Sequence, residues 1–317
     1  MPSPPAPRPV ARPRLNDLSG KDWIRFTKSW FITNPPRRSA SERTHPAKFP
    51  EDLCEAFVRF FTRTGMWVLD PFAGTGSTLV AAVRSQRHAI GLEINSTFAH
   101  LAKDRIRSTG PIDPVVRIIR GDARNLRSIW RREKLPLVQL VLTSPPYWDM
   151  LGKSRGGSRS AQRERAASGW ATTYSTDPKD LGNLHDYRAF LSTTAEVLRS
   201  TGEVLESGRY LVVIAQNLRD VDGSFRTLAW DLARELDRPP FQFQGERIWC
   251  QDSKPLGIWG FPSTFVPNYH HHYCLIFRRT ALPAPSTIPR SFAVPARRVR
   301  TASAARPRDG AGSAARH

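Results

Sequence analysis

Residues 68–78, VLDPFAGTGST, constrain this chain more than any other stretch. The apolar run Trp67, Val68, Leu69 suits a short buried strand, and Asp70 stands at its carboxyl end. Gly74 and Gly76 permit a tight turn and close ligand approach, and Ser77 or Thr78 is set to cap a helix running to about Arg84. A dinucleotide fingerprint wants a third glycine at position 79, where this chain has Leu79; a P-loop wants Gly-Lys-Ser/Thr, which is absent. What remains is an adenosine ligand without a pyrophosphate, and S-adenosylmethionine fits that description.

Two further acids follow the same pattern. Glu93, seventeen residues past Gly76, ends the apolar run of AIGLEIN, where a carboxylate can accept a ribose's two hydroxyls. Asp122 in IIRGDARNL ends a third run. Packing alone explains such a series poorly, although an open parallel sheet places any ligand at these strand ends. A fourth strand lies in LVQLVLTSPPYWD, 137–149, and leads through Thr143 into Ser144, Pro145, Pro146 and Tyr147. The two prolines fix φ and hold a rigid hook. It offers the Ser144 hydroxyl and the Pro145 carbonyl as adjacent acceptors for one amino group, with the Tyr147 ring as a stacking surface. Taken alone, the same residues also read as a proline-terminated strand and turn.

The pair DPFAGTGST (70–78) and TSPPYWD (143–149) resembles the amino-methylating DNA methyltransferases, which make N4-methylcytosine or N6-methyladenine. THPAKFPEDLCEAFVRFFTRTG (44–65) is similar to the segment that precedes the glycine motif in that family and closes over the methionine end of the cofactor, so the likeness runs from about 20 to 278. It implies S-adenosylmethionine as cofactor. Asp70, Phe72, Gly74, Gly76, Ser77 and Thr78 would line its methionine and ribose side, Glu93 would take the ribose hydroxyls, and Asp122 would meet the adenine amino group. Ser144, Pro145, Pro146 and Tyr147 would be the catalytic set, acting on a base flipped out of double-stranded DNA. Serine at the first position of the hook goes more often with cytosine N4 than with adenine N6. A cognate restriction endonuclease is the partner such an enzyme would have, although no residue pattern here points to one. An amine in RNA or protein as substrate, and a catalytically silent DNA-binding relative, are the other readings.

Composition bounds this picture. A chain of 317 residues with 39% hydrophobic content can build one large core. The net charge of +20 is uneven: residues 1–50 carry ten Lys/Arg against three acids, and 278–317 carry nine Arg against one Asp. Such basicity suits a polyanion. A Pro/Arg-rich arm (1–19) and an Ala/Pro/Arg-rich tail (279–317) are expected to be disordered around a catalytic domain at 20–278. Cys54, Cys250 and Cys274 are scattered in apolar segments and read as buried thiols in a reducing compartment. No apolar run approaches a membrane span and the N-terminus lacks a secretory signal, so the expected location is the cytoplasm.

The elements then alternate: helix 51–64, strand 88–92, helix 96–107, strand 115–119, short helix 125–133, strand 137–143, helix 185–198, strand 209–217, helix 224–237, and strands 243–250 and 272–277. This predicts an α/β fold, a doubly wound, mostly parallel seven-stranded sheet of the S-adenosylmethionine-dependent methyltransferase type. That its last strand runs antiparallel is implied by the resemblance. LSGKDWIRFTKSWF, with Trp23, Trp30 and Phe31 among Lys21, Arg25 and Lys28, reads as a helix packing its Trp face on the core, or as basic and aromatic side chains for nucleic acid. Two long loops are candidates for DNA contact: 150–183, with Lys153, Arg155 and Arg159 beyond Trp148, and 251–270, with Lys254, Trp259, Phe261 and Phe265. His270, His271 and His272 lack the partners of a metal site and more simply start the last strand at the sheet's edge.

Overall fold

Apolar runs and amphipathic segments resolve, in a computed structural model, into one twisted sheet with helices on both faces; the structure describes residues 14–34, 49–148, 180–220 and 222–280. In chain order the elements are α1 (Gly20–Phe26), β1 (Trp30–Ile32), α2 (Glu51–Phe61), β2 (Trp67–Asp70), α3 (Ser77–Arg84), β3 (His88–Glu93), α4 (Ser96–Arg107), β4 (Val116–Arg120), α5 (Leu126–Arg132) and β5 (Val138–Thr143). After the gap come α6 (Tyr187–Ser200), β6 (Leu205–Ala215), the short pair β7 (Leu218–Arg219) and β8 (Phe225–Arg226), α7 (Leu228–Leu236), β9 (Phe241–Cys250) and β10 (His271–Arg279).

The sheet order is β1-β9-β10-β6-β5-β2-β3-β4. Strands β6, β5, β2, β3 and β4 run parallel, and β10 lies antiparallel between β9 and β6. β5 is buried along its whole length, as a central parallel strand should be. Its side chains divide between two cores, with a register irregularity between Val138 and Leu140. Val138 and Val141 pack with α5, α6 and α7 through Ile129, Phe190 and Leu232, while Leu140 and Leu142 pack with α2 and α3 through Phe57, Phe61 and Val80. Each such fully buried side chain contributes on the order of 2 kcal/mol. The chain reverses into parallel strands, so the ends of β2, β3, β4 and β5 gather at one edge.

Several expectations are corrected. An eighth strand, β1, pairs parallel with β9 through Trp30 and Ile248. The segment around it is not a helix with a Trp face: Trp23 and Trp30 stay 39% and 46% exposed, and Phe26 and Phe31 turn inward. Those two rings flank the buried Arg247 guanidinium at 4.0 and 4.3 Å, and Arg247 also donates to Lys28 O, which ties the N-terminal segment to β9. The histidines begin an interior strand, since β10 has neighbours on both sides. β6 begins at Leu205 because Gly208, at φ +77°, bends the strand without ending it. α7 starts at Leu228, after residues 225–226 pair with 218–219.

The packed chain begins before residue 20. Asn16 is buried and its Nδ2 donates to Phe60 O at 2.6 Å. At the other end Thr280 N still donates to Pro240 O. Residues 1–13 and 281–317, the greater part of the expected arm and tail, lie outside the described residues, as do 149–179 of the first loop with Lys153, Arg155 and Arg159. Cys54 and Cys274 are buried free thiols, and burial pushes Cys54 up to about 12; Cys250 is only half-buried. Among the described residues no helix is long and apolar enough to cross a membrane.

Candidate active site

The glycine turn is built between β2 and α3. Ala73 N donates to Leu92 O at 2.9 Å, drawing the turn onto β3. Gly74 and Gly76 adopt φ +52° and +82°. Gly76 is itself the helix N-cap and Ser77 the first helical residue, so neither Ser77 nor Thr78 caps the helix as expected. A side chain at Gly76 would bring its β-carbon to 3.0 Å from Ala102 Cβ. The third glycine, missing at position 79, is supplied by the neighbouring strand: a β-carbon on Gly91 would stand 2.8 Å from Leu79 Cδ1 and 3.0 Å from Ala73 Cβ. A glycine inside the apolar run AIGLEIN was the signal for this close approach.

The three strand-end acids differ in what they hold. Asp70 Oδ1 accepts from Phe72 N at 3.0 Å and from Thr143 Oγ1 at 2.6 Å, the latter reaching across from β5. Glu93 accepts from Gly74 N at 2.7 Å and Asn95 N at 2.8 Å, which fixes the turn to the end of β3. Burial raises the Asp70 pKa to about 6 and that of Glu93 to about 7, in each case against the lowering effect of these hydrogen bonds. Asp122 is engaged by Arg124, whose guanidinium lies 2.7 Å away and whose backbone N–H it also caps. An adenine amino group would have to share that carboxylate. Glu51 on α2 joins Arg84 of α3 to Arg105 of α4, and Arg105 reaches Thr75 Oγ1 at 3.2 Å, so the turn is braced from behind.

At the end of β5 the hook takes shape. The Ser144 hydroxyl donates to Tyr147 Oη at 3.3 Å, and Tyr147 Oη donates to Ile214 O at 3.5 Å. Tyr147 is 3% exposed, so its ring is packed and is not the stacking surface expected of it. Trp148 is also buried; its indole N–H donates to His185 O and its ring meets Tyr187 edge-on at 5.3 Å. It is held inside the protein and not presented to DNA. The sequence gives no sign of which way two aromatics after a double proline will turn.

One cavity joins the turn to the hook. It is lined by Asp70, Phe72, Gly74, Ser77 and Thr78 from the first, Glu93 and Asp122 from the middle strands, and Thr143 to Pro146 from the second. Gly76 and Tyr147 are not part of this lining. Phe49, from the 44–65 segment expected to close over the cofactor, also lines it, and sequence reasoning missed Phe98, Asp180, Leu181 and Ile214, which line it too. Asp180 and Leu181 belong to the last few residues of the loop offered as a DNA contact; this end of it lines the cavity instead. Among the described residues the lining carries Asp70, Glu93, Asp122 and Asp180 and no Lys, Arg or His. Such a wall repels phosphates and suits a cation that also carries hydroxyl and amino hydrogens. S-adenosylmethionine, whose sulfonium and ammonium charges outweigh its one carboxylate and which carries ribose hydroxyls and an adenine amine, meets that requirement. The free volume is about 100 Å³, below the roughly 300 Å³ of small-ligand pockets, so side chains must part to admit it.

The other candidates divide. His272 is stacked on Trp249 at 4.7 Å, and its burial pushes its pKa down to about 3, so it stays neutral. Among the described residues no group of His, Cys, Asp or Glu is arranged to hold a metal. Lys254 Nζ donates to Tyr269 O at 2.8 Å, within a loop that leaves Phe261 and Phe265 exposed.

The N6/N4 DNA methylase family model matches residues 11–104, which include the glycine turn and Glu93. The Type II methyltransferase M.MjaI of Methanocaldococcus jannaschii is 33% identical over 81 residues, 26% of this chain and 27% of that protein. The orphan methyltransferase M.BamHII of Bacillus amyloliquefaciens is 34% identical over 88 residues, 27% of this chain and 33% of that protein. The matched stretches thus span about a third or less of these relatives' own length. Among solved structures, TrmN from Thermus thermophilus aligns with 74% of this chain and 50% of its own at 17% identity, with a TM-score of 0.46, too loose a likeness to bear on function. Through the segment that builds its glycine turn, the chain is similar to the N6/N4 DNA methylases.

Proposed function

We propose that the protein transfers a methyl group from S-adenosylmethionine to the exocyclic amine of a base flipped out of DNA, with cytosine N4 as the acceptor. The observation that carries this reading is the single cavity running from the acid-walled turn to Ser144 and Pro145. Bound S-adenosylmethionine supplies the electrophilic methyl group. The chain's own task is to make a poor nucleophile ready, because an exocyclic amine delocalises its lone pair into the ring. The Ser144 hydroxyl hydrogen is committed to Tyr147, which leaves the Ser144 oxygen as an acceptor. With the Pro145 carbonyl beside it, two acceptors receive hydrogen bonds from the amine's two N–H groups and turn its lone pair toward the cavity. As the nitrogen takes the methyl group the electrons of the broken bond stay on sulfur, and the methylated amine then releases one of its protons to water. Placement and fixed dipoles then supply most of the rate. Tyr147, bonded to both Ser144 and Ile214, acts by positioning Ser144.

Cytosine is favoured over adenine by the serine at position 144, through the family resemblance. The Type II designation of relatives such as M.MjaI fits a partner endonuclease, and the buried free thiols Cys54 and Cys274 fit a reducing cytoplasm. The test is mass spectrometry of nucleosides from plasmid DNA incubated with the protein and S-adenosylmethionine. N4-methylcytosine is expected. N6-methyladenine would overturn the choice of base while leaving the reaction, and neither product in the presence of bound cofactor would overturn DNA as the substrate.

A further inference from the structure

The Tyr147 hydroxyl accepts from Ser144 Oγ at 3.3 Å and donates to Ile214 O at 3.5 Å, both longer than the roughly 2.8 Å of a well-made hydroxyl bond. Bonds of this length leave the tilt of the phenol ring to the rings packed around it. One of these is His272, the second residue of β10, whose ring centroid lies 6.1 Å from that of Tyr147 at an angle of 38°.

Strand pairing brings this histidine to the hook. Thr143 of β5 pairs with Val213 of β6, which leaves Ser144 level with Ile214. On the other side of β6, Tyr273 of β10 pairs with Ala215, so His272 stands a little farther out along the same edge. Successive strand residues face opposite sides, and His272 therefore shares its face with Cys274 and with its pairing partner on β9, Trp249. The imidazole stacks on the Trp249 indole at 4.7 Å and 27°, and Phe49, which lines the acid-walled cavity, meets it edge-on at 6.2 Å. Trp249 is anchored in turn: it is buried, pairs with Phe31 of β1, and its indole N–H donates to Thr33 O at 3.1 Å. Packing thus runs from β1 through Trp249 and His272 to the hook.

Filling space does not account for a histidine here. Among the described residues its Nδ1 is sealed from water and has no hydrogen-bond partner. An unsatisfied buried nitrogen lowers stability, and a leucine of similar volume would fill the same space without it. What leucine lacks is a flat face to lie against Trp249 and Tyr147. Burial also keeps the ring uncharged, so it is not placed to take up a proton.

We propose that His272 is a positioning residue for methyl transfer: stacked on Trp249, it sets the tilt of the Tyr147 ring and, through the Tyr147 hydroxyl, the place of the Ser144 oxygen. The proposal rests on the methyltransferase reading above and adds a residue outside both sequence motifs. In single-turnover methylation of plasmid DNA, His272→Leu should lower the rate about 10- to 100-fold, with the S-adenosylmethionine Kd unchanged and the melting temperature no lower than that of the wild type. His272→Phe, which keeps a flat face, should recover most of that rate. In a Tyr147→Phe background, where the route to Ser144 is already cut, His272→Leu should add little. Independently of turnover, isotopic labelling of the six tyrosines, with the Tyr147 resonance assigned by its loss in Tyr147→Phe, should show that resonance shifted in His272→Leu. An unmoved Tyr147 resonance, or rate losses that simply multiply in the double variant, would overturn the proposal. A lower melting temperature with an unchanged rate would reduce His272 to packing and overturn it as well. A shifted resonance with no methylated product from the wild type would uphold the hold of His272 on Tyr147 and overturn the methyltransferase reading on which its part in transfer rests.

Discussion

Glu93→Gln separates what the folded protein needs from what its ligand needs. The Glu93 carboxylate is buried, 8% exposed, and its pKa rises from 4.5 to about 7 through desolvation, with Asp180 and Asp70 adding repulsion. A raised carboxylate pKa contributes stability that is fully present below 4.5 and is lost as the pH climbs through 7. Converting the shift at 1.36 kcal/mol per unit, this loss is about 1 kcal/mol at pH 5 and about 3 kcal/mol at pH 8. Glutamine imitates the protonated carboxyl: it keeps one acceptor for Gly74 N or Asn95 N, never ionises, and so escapes the loss. The ligand-free variant should therefore match the wild type near pH 4 and exceed it by about 3 kcal/mol at pH 8. If Glu93 takes the ribose hydroxyls, as the family resemblance implies, cofactor affinity should move the other way; a loss of about tenfold corresponds to one hydrogen bond to a charged group. Denaturant unfolding at pH 4, 6 and 8, with calorimetric titration of S-adenosylmethionine at pH 8, reads both effects. A stability difference that does not change with pH would refute the burial argument.

Other substitutions probe the neighbouring contacts. Thr143→Val removes the 2.6 Å donor to Asp70 and should cost about 2 kcal/mol in unfolding free energy at pH 8, less at pH 5 where Asp70, with a pKa near 6, is mostly protonated. Ser144→Ala should lower kcat about 100-fold in a single-turnover methylation assay with cofactor Kd unchanged; wild-type turnover would remove the acceptor role. Gly91→Ala drives a β-carbon into Leu79 and Ala73 and should cost about 1–3 kcal/mol, with weaker cofactor binding as the turn is pushed outward. Glu51→Ala leaves the largely buried Arg105 without its carboxylate, and a drop of about 1–3 kcal/mol is expected in chemical denaturation.

How much of this was legible depended on the range of the interaction. α4 falls on 96–107 as expected, because Asn95 caps Thr97 and Phe98 and the apolar positions Phe98, Ala99, Ala102 and Ile106 keep a helical spacing. β1 was not legible: three residues are too short for a period, and its register with β9 is set more than two hundred residues away. The acids at 70 and 93 announced a site by their place after apolar runs. Their backbone partners, Gly74 and Asn95 for Glu93, follow from geometry that no spacing encodes. Thr143 looked like the lead into the hook and proves to be the donor that holds Asp70. Asp122 could have been read more closely, since Arg124 lies two positions on. Asp180 was out of reach, because it is brought to the cavity by a segment whose course depends on tertiary packing, whereas Phe49 comes from the 44–65 segment that the resemblance had placed over the cofactor.

Charge is not spread evenly along the carboxyl edge of the sheet. A chain of net charge +20 keeps every basic side chain out of the lining of its acid-walled cavity among the described residues, while the space lined by β7, β8 and the 251–270 loop carries Arg219 and Lys254. If the protein acts on DNA as proposed, a uniformly basic edge would draw phosphates into the acid-walled cavity, and a uniformly acidic one would repel the strand. In the proposed reaction Ser144 would lie on the boundary, where a neutral amine could meet an electrophile held by carboxylates. Methyl transfer would then remove one positive charge from the acid-walled side, so the attraction that favours the donor would be weakened for the spent cofactor by the reaction itself. The same Asp70 and Glu93 whose burial destabilises the empty protein would thereby help distinguish a net-positive donor from its net-neutral product.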